Sequence, residues 1–482
     1  MSESLNRRDF FKTSTAVAAT AAAGLTLDGF IARGAGAAPL VGQGGYGALA
    51  PVASNNLPAL GSFLTLPAGF QYTLISRNGD PLNDGSGANV PNLFDGMATF
   101  ASTGKNGKSL IRLVRNHEVR DQSLTNSAFG DLTKAYDANA RGGTTTLIVD
   151  PVTRLLATAA DLNPGENAQY ISLSGTLTNC AGGATPWGTW ITCEETTNGA
   201  DRTGSGLYPK NHGYNFEVNV GLNGQTQAVA LKAMGRFSHE AIAVDPNTSI
   251  VYQTEDAGSN SGFYRYIPDT PGNLAAGGRL QMLRHSFVNN FDSRNSVGTA
   301  TPFRIGQTLL CTWVDVPNPD PTTHNSTTSP YAQGFARGGM RFNRLEGAWF
   351  GSGSIFFDST QGGRAGVGQV FRYTPFGKDK GYLTLIYESP GSNVLDAPDN
   401  LCVSPRGGIV LCEDGGGDQF VRCLTRSGFL FDFAKNNAGD SEFCGATFSP
   451  DGQTLFLNVQ GGGTVGSGRT FAIWGPWENG AL

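Results

Sequence analysis

The chain has 482 residues and a formal net charge of -5; only 15% of its residues are charged, while glycine alone contributes 67. That mix excludes helical bundles and coiled coils and points to many short strands joined by tight turns. An acidic balance offers nothing to a polyanion, so no nucleic-acid partner is expected. No apolar run after the first 40 residues reaches the length of a membrane span, so no stable membrane insertion is expected either.

The N-terminus reads as an address. Asn6-Arg7-Arg8-Asp9-Phe10-Phe11-Lys12 sets paired arginines before two aromatics and a lysine, an alanine-rich stretch follows from Thr13 to Gly24, and Ala35-Gly36-Ala37 offers a peptidase site. This order predicts a twin-arginine signal peptide over 1–37, with the twin-arginine export machinery as a partner. It leaves a domain of 38–482 that is periplasmic or secreted. Export in the folded state suits a protein that loads metals beforehand. Residues 38 to 70, rich in Pro, Asn and Gly, read as an N-terminal arm.

A hairpin pattern then recurs along the chain. Its first copy runs from Asp95 to Asn116-His117-Glu118, with the turn GKNG between its strands. Later copies run from Cys180 to Glu195, Glu240 to Glu255, Glu346 to Gln361, Asp399 to Asp414 and Gly445 to Gln460, each pair separated by 15 positions. Every copy is an apolar strand, a turn built on Pro, Asp, Asn or Gly, and a second apolar strand. Between the copies lie further strand candidates: GYNFEVNV, GFYRYIP, GQVFRYTP and YLTLIYES. Two hairpins per unit make a four-stranded propeller blade, so the pattern predicts an all-β, six-bladed β-propeller. Residues 268–335 read as a long loop insertion, a candidate cap over one face.

The start of a hairpin's first strand lies beside the end of its second, and in a propeller such ends converge on a central channel. Asn116, Glu118, Cys180, Glu195, Glu240, Glu255, Glu346, Asp399 and Asp414 occupy those ends. So many carboxylates at one mouth repel one another unless cations are present. Oxygen ligands of this kind suit calcium, and a thiolate among them suits a softer metal such as iron. Each glutamate could also be a structural ion-pair partner, and Cys180 alone could be a buried thiol. His117 and His239 each precede a glutamate, but strand neighbours face opposite ways, so both are expected to pack inside the sheet. Arg344 shares a strand face with Glu346 and reads either as a phosphate clamp or as a neutralising charge. The odd count of seven cysteines leaves at least one outside any disulfide. The glycine-rich GGGTVGSG at 461–468 ends no βαβ unit and is no nucleotide loop.

The segments VRNHE (114–118), NCAGGATPWGTWITCEE (179–195), GRFSHEA (235–241), TEDAG (254–258), RLEGAW (344–349), APDNL (397–401) and GATFSPDGQTLFLNVQ (445–460) resemble the PhoX-type alkaline phosphatases. The resemblance covers most of the chain after the signal peptide. It implies a twin-arginine-exported, six-bladed propeller that hydrolyses phosphate monoesters with ferric iron (Fe3+) and calcium (Ca2+). By position it makes Cys180 an iron ligand and gives Glu240 and Glu346 to iron, bridging toward calcium. Asn116, Glu118 and Glu195 fall on the calcium side, Asp399 is a further cluster ligand, and Arg344 is the phosphate-contacting arginine. The catalytic set so implied is Arg344, Glu240 and Glu346. Two departures stand out: Leu345 replaces the proline common between that arginine and glutamate, and GGGTV follows Gln460 where His-Pro-Gly is more usual.

The expectation is an alkaline phosphatase acting on small phosphate esters as a monomer, by metal-assisted transfer to water without a side-chain nucleophile. Two other readings stay open: a calcium-dependent lactonase-like hydrolase, which has no use for Cys180, and a non-catalytic exported propeller that binds calcium alone.

Overall fold

The computed structural model describes residues 45–120, 127–201, 207–299 and 302–482. The expected signal peptide over 1–37 and the first residues of the arm lie outside them. Each expected hairpin is present, and its two strands pair antiparallel: Phe94–Thr103 with Ser109–His117, Asn179–Ala184 with Thr189–Glu194, and His239–Val244 with Val251–Glu255. The remaining three are Leu345–Gly351 with Ser354–Ser359, Pro398–Val403 with Ile409–Glu413, and Phe443–Phe448 with Leu455–Val459. Their first strands pack side by side, and the last meets the first. The result is an all-β, propeller-like arrangement of sheets around one axis.

Further strands extend each hairpin outward. Gly142–Val149 and Gln169–Thr176 extend the first, Asn215–Asn219 the second, and Phe420–Leu424 and Leu430–Asn436 the fifth. The arm is structured where it is described: Leu64–Pro67 pairs with Leu430–Asn436 and carries Leu49–Val52 on its outer edge. Gln71–Arg77 then becomes the outer strand of the C-terminal sheet by pairing with Arg469–Trp474. One end of the chain thereby closes the ring that the other end completes. Phe70, Phe433, Trp477 and Leu482 seal this join in a buried cluster, with Phe70 and Trp477 edge-to-face at 4.8 Å.

The segment 268–335 is no loose loop. It contributes the strands Gly278–His285 and Thr308–Asp315, and the second pairs with Lys380–Glu388. The third and fourth hairpins are thus fused into a single nine-stranded sheet. Beyond Asp315 the chain turns back over the mouth side, where Ser329 caps the short helix Pro330–Phe335 by accepting from Ala332 N. Among the described residues, no helix is long and apolar enough to cross a membrane.

One irregularity repeats in every hairpin. A β-bulge interrupts the first strand near its start, between Phe94 and Met97, Asn179 and Gly182, His239 and Ile242, Leu345 and Ala348, Pro398 and Leu401, and Cys444 and Thr447. A bulge re-aims the side chain it carries. Just past each bulged residue stands a small or short one: Gly96, Ala181, Ala241, Gly347, Asn400 and Gly445. A Cβ on Gly347 would sit 2.6 Å from the Asp399 carbonyl oxygen of the neighbouring hairpin. One on Gly96 would sit 2.7 Å from the Ala181 Cα. The first strands can therefore close tightly on the axis only because these side chains are missing or short.

Gly347→Ala should accordingly destabilise the protein by about 1–3 kcal/mol through overpacking against fixed backbone. Thermal denaturation reads this as a lowered melting temperature; an unchanged one would show that the strands have room to separate.

Candidate metal centre

Two positions in each hairpin supply the axis end. The bulge on the first strand presents Asp95, Cys180, Glu240, Glu346, Asp399 and Cys444 in turn. The residue closing the second strand is Glu118, Glu195, Asp256, Thr360, Asp414 or Gln460. Its backbone N–H donates to the carbonyl of the residue two before the bulged position: Leu93 (2.8 Å), Thr178 (2.9 Å), Ser238 (3.1 Å), Arg344 (3.1 Å), Ala397 (2.9 Å) and Glu442 (3.1 Å), respectively. Four of these acceptors, Leu93, Thr178, Arg344 and Ala397, hold left-handed backbone at φ 40–53°. Non-glycine residues take that conformation at a cost, and such strain gathers at functional sites.

Ligand atoms meet in three overlapping groups, each with its atoms within 4.8 Å of one another: Cys180, Glu195 and Glu240; Glu240, Glu346 and Asp399; Asp399, Asp414 and Glu442. Glu240 and Asp399 are shared, so the groups form one strip. Asp95 and Glu118 continue it from the first hairpin, both within electrostatic reach of Asp399. Cys180 Sγ lies 3.2 Å from Glu240 Oε1. Thr360 Oγ1 donates to Glu346 Oε1 at 2.8 Å, and Gln460 Nε2 to Glu118 Oε2 at 2.9 Å. Asp95 Oδ1 is buried with no hydrogen-bond partner among the described residues.

Without cations this strip retains protons. Burial, then the charge of Glu346, pushes Glu240 well up; burial, then Asp399, does the same to Glu346. Burial and Glu118 raise Glu195, and burial and Asp414 raise Glu442. Asp399 is pushed up to about 7 by burial and then Asp414. The Cys180 thiol is held well above its usual range by burial and by Glu240. Desolvation and like charge both oppose ionisation here, and bound cations would remove both. The donor set of clustered carboxylates, an orphaned Asp95 oxygen and one thiol fits cations.

Two arginines border the strip. Arg344 donates through Nε to Asp256 Oδ2 at 3.0 Å and stands 3.4 Å from Glu346 Oε1. Among the described residues its terminal nitrogens have no hydrogen-bond partner. Arg120, largely exposed, donates through Nε to Glu118 Oε1 at 2.8 Å and approaches Glu195 to 3.6 Å.

Of the residues expected from sequence, Glu118, Cys180, Glu195, Glu240, Glu346, Asp399 and Arg344 come together here. Asn116 does not join them. Its amide donates to the carbonyls of Cys180 (2.9 Å) and Ala181 (2.7 Å), and its Oδ1 accepts from Trp190 Nε1 (2.9 Å). It is a latch between adjacent hairpins, as is Asn458, which donates to the Asp95 carbonyl at 2.7 Å. Glu255 also leaves the mouth, accepting from Tyr264 Oη at 2.5 Å and Gly262 N at 3.0 Å within its own sheet. The turn between Val244 and Val251 is one residue longer than that between Ala184 and Trp190, which makes Asp256, one residue on, the closing residue of that hairpin. His117 and His239 pack inside the sheets, bonded to Asn92 O and Gly235 O at 3.0 Å each. All seven cysteines are free and buried. Sequence reasoning missed Asp256, Glu442 and Arg120; Glu442 carried one readable signal, its place two before a bulge, as with Arg344.

A family model described as alkaline phosphatase PhoX matches residues 45–463. Among solved structures, Pseudomonas fluorescens PhoX in complex with vanadate, a transition-state analogue, superposes with TM-score 0.63 at 18% identity, covering 90% of this chain and 98% of that one. A gluconolactonase from Xanthomonas campestris gives TM-score 0.39 at 12% identity, covering 90% of this chain and 98% of its own. A Trypanosoma rangeli sialidase gives 0.37 at 8%, covering 85% and 59%. No curated protein matches the sequence.

Arg120 occupies carboxylates that a cation would need. Arg120→Met should therefore tighten calcium binding to the metal-free protein in calorimetry; unchanged or weaker binding would show that Arg120 does not compete. A second expectation concerns pH. Asp399 at about 7 and Glu255 at about 8 keep, when folded, protons that the unfolded chain releases near its ordinary carboxylate values. Their contribution is full below the unfolded values and lost as pH rises through 7 to 8. The metal-free protein should melt lower at about pH 8.5 than at about pH 5.5, and calcium should remove the share that comes from Asp399. A melting temperature that rises over that interval would contradict this.

Proposed function

The chain belongs to the PhoX alkaline phosphatase family, and from that premise we propose that it hydrolyses phosphate monoesters at the carboxylate strip, which holds ferric iron and calcium. The observation that carries the reading is Cys180 Sγ, 3.2 Å from Glu240 Oε1 inside a row of carboxylates. A calcium site needs no thiol, whereas iron takes one readily. Cys180, Glu240 and Glu346 would hold iron, and Glu118 and Glu195 calcium, with Asp399 between the groups. Asn116 would act through the backbone it latches.

Bound there, the cations would supply the charge and Lewis acidity that phosphoryl transfer to water needs. The chain's own residues do the positioning. Arg344, with Nε held by Asp256, offers its terminal nitrogens to a non-bridging phosphate oxygen. Thr360 fixes the Glu346 carboxylate, and Gln460 fixes Glu118. Because the strip keeps protons at neutral pH, filling it releases them, so alkaline conditions favour the loaded state. The vanadate reported in the Pseudomonas fluorescens protein supports a site for a transferring phosphoryl group.

With each bulged hairpin counted as the inner pair of one blade, we read six blades. The twin-arginine segment supports export to the periplasm or beyond, where the chain would meet small phosphate esters as a monomer.

Protein purified through its native export route should contain stoichiometric iron and calcium and hydrolyse p-nitrophenyl phosphate at alkaline pH until a chelator is added. Glu240→Gln should lose iron and lower kcat/KM by more than about 100-fold. Calcium without iron and no turnover would point instead to a calcium-binding propeller; full activity in Glu240→Gln would remove that residue from the centre.

A further inference from the structure

Beside the strip lies a cavity of about 480 Å³, a size typical of sites for small organic molecules. Glu255 and Ala257 in its wall flank Asp256, the residue that holds Arg344. The far wall is the segment after Asp315, where Tyr331 and Phe335 stack at 5.4 Å. Arg341 completes it, donating through Nε to Tyr331 Oη at 3.1 Å, with its guanidinium 4.9 Å from the Phe335 ring centroid.

The charge inside this cavity is unbalanced. Among the described residues, the terminal nitrogens of Arg341 have no hydrogen-bond partner. The carboxylate nearest to balancing it, Asp292, is held by Arg294 at 2.6 Å. The Glu255 carboxylate is taken up within its own sheet by Tyr264 Oη and Gly262 N. A guanidinium with free donors, over an aromatic face and facing no free anion, is built to receive one.

The cavity also lies at a workable distance from the phosphate-binding arginine. Arg344 N donates to Gly258 O at 2.8 Å, and Ser261 N to Phe342 O at 3.3 Å, so the segment 341–344 is pinned along the loop 258–261. Three residues span at most about 10 Å of extended chain.

We propose that this cavity is the leaving-group subsite of the enzyme, selecting phosphate monoesters whose alcohol carries its own anionic group, with Arg341 as the specificity-determining residue. The inference rests on the phosphatase reading above.

The test compares glycerol 3-phosphate with 3-phosphoglycerate, which share a carbon skeleton and differ by a carboxylate in place of a hydroxymethyl group. The metal-loaded protein should prefer 3-phosphoglycerate in kcat/KM by about tenfold, the discrimination one charged contact affords. Arg341→Met should remove that preference, and Arg341→Lys should restore part of it. No preference in the unaltered protein, or one that survives Arg341→Met, would overturn the proposal. Should neither these esters nor p-nitrophenyl phosphate be hydrolysed, the phosphatase reading fails on its own, and calorimetric binding of the two esters to both proteins decides the subsite by the same criterion.

Discussion

Mutual repulsion among clustered carboxylates is the constraint on which the rest of this structure turns. Asp95, Glu118, Glu195, Glu240, Glu346, Asp399, Asp414 and Glu442 are drawn to one end of a common axis, and several of them keep protons in the absence of cations. Unpaired charges of one sign at such spacing in a low-dielectric interior cost several kcal/mol, so a fold that gathers them must be held by other means. The holding is visible in the backbone. Small residues past each bulge let the first strands close, and Asn116, Thr254 and Asn458 tie three of the six hairpins to the next by bonding its bulge carbonyls. The strip is therefore preorganised by main chain, and its side chains are left over for cations.

Much of this was legible in the sequence, and the failures have two physical origins. Alternating apolar strands around Pro, Asp and Gly turns exposed the hairpins, and the Cys180 to Glu195 pairing carried through unchanged. The constant spacing of 15 did not carry through. All six hairpins share the bulge, but their turns differ in length by a residue or more, and one residue in a strand reverses the face. Glu255 accordingly turns into its own sheet while Asp256 takes the mouth, and Thr360 rather than Gln361 closes the fourth hairpin. Asn116 illustrates a different limit. A polar residue at a strand end can ligate an ion or satisfy a neighbour's backbone, and only the position of the adjacent strand decides which.

Two cysteines at equivalent bulges show how context assigns chemistry. Cys180 and Cys444 occupy the same place in different hairpins. Cys444 Sγ donates to the Phe94 carbonyl at 3.0 Å, which anchors it to the backbone, whereas Cys180 also faces the Glu240 carboxylate. The outer parts of the chain diverge in the same way. Strands from the arm and from the 268–335 segment lengthen sheets at the periphery, while the stretch around Tyr331 and Arg341 lines a cavity together with Glu255 and Ala257.

The central claim is that the carboxylate strip holds two kinds of cation, with iron at Cys180. Crystals of the exported protein, measured by anomalous diffraction on either side of the iron absorption edge, test it most directly. The account predicts an iron signal within bonding distance of Cys180 Sγ and Glu240, and density for calcium beside Glu118 and Glu195 with no iron-edge signal. Calcium alone along the strip, with Cys180 left as an unligated thiol, would contradict it.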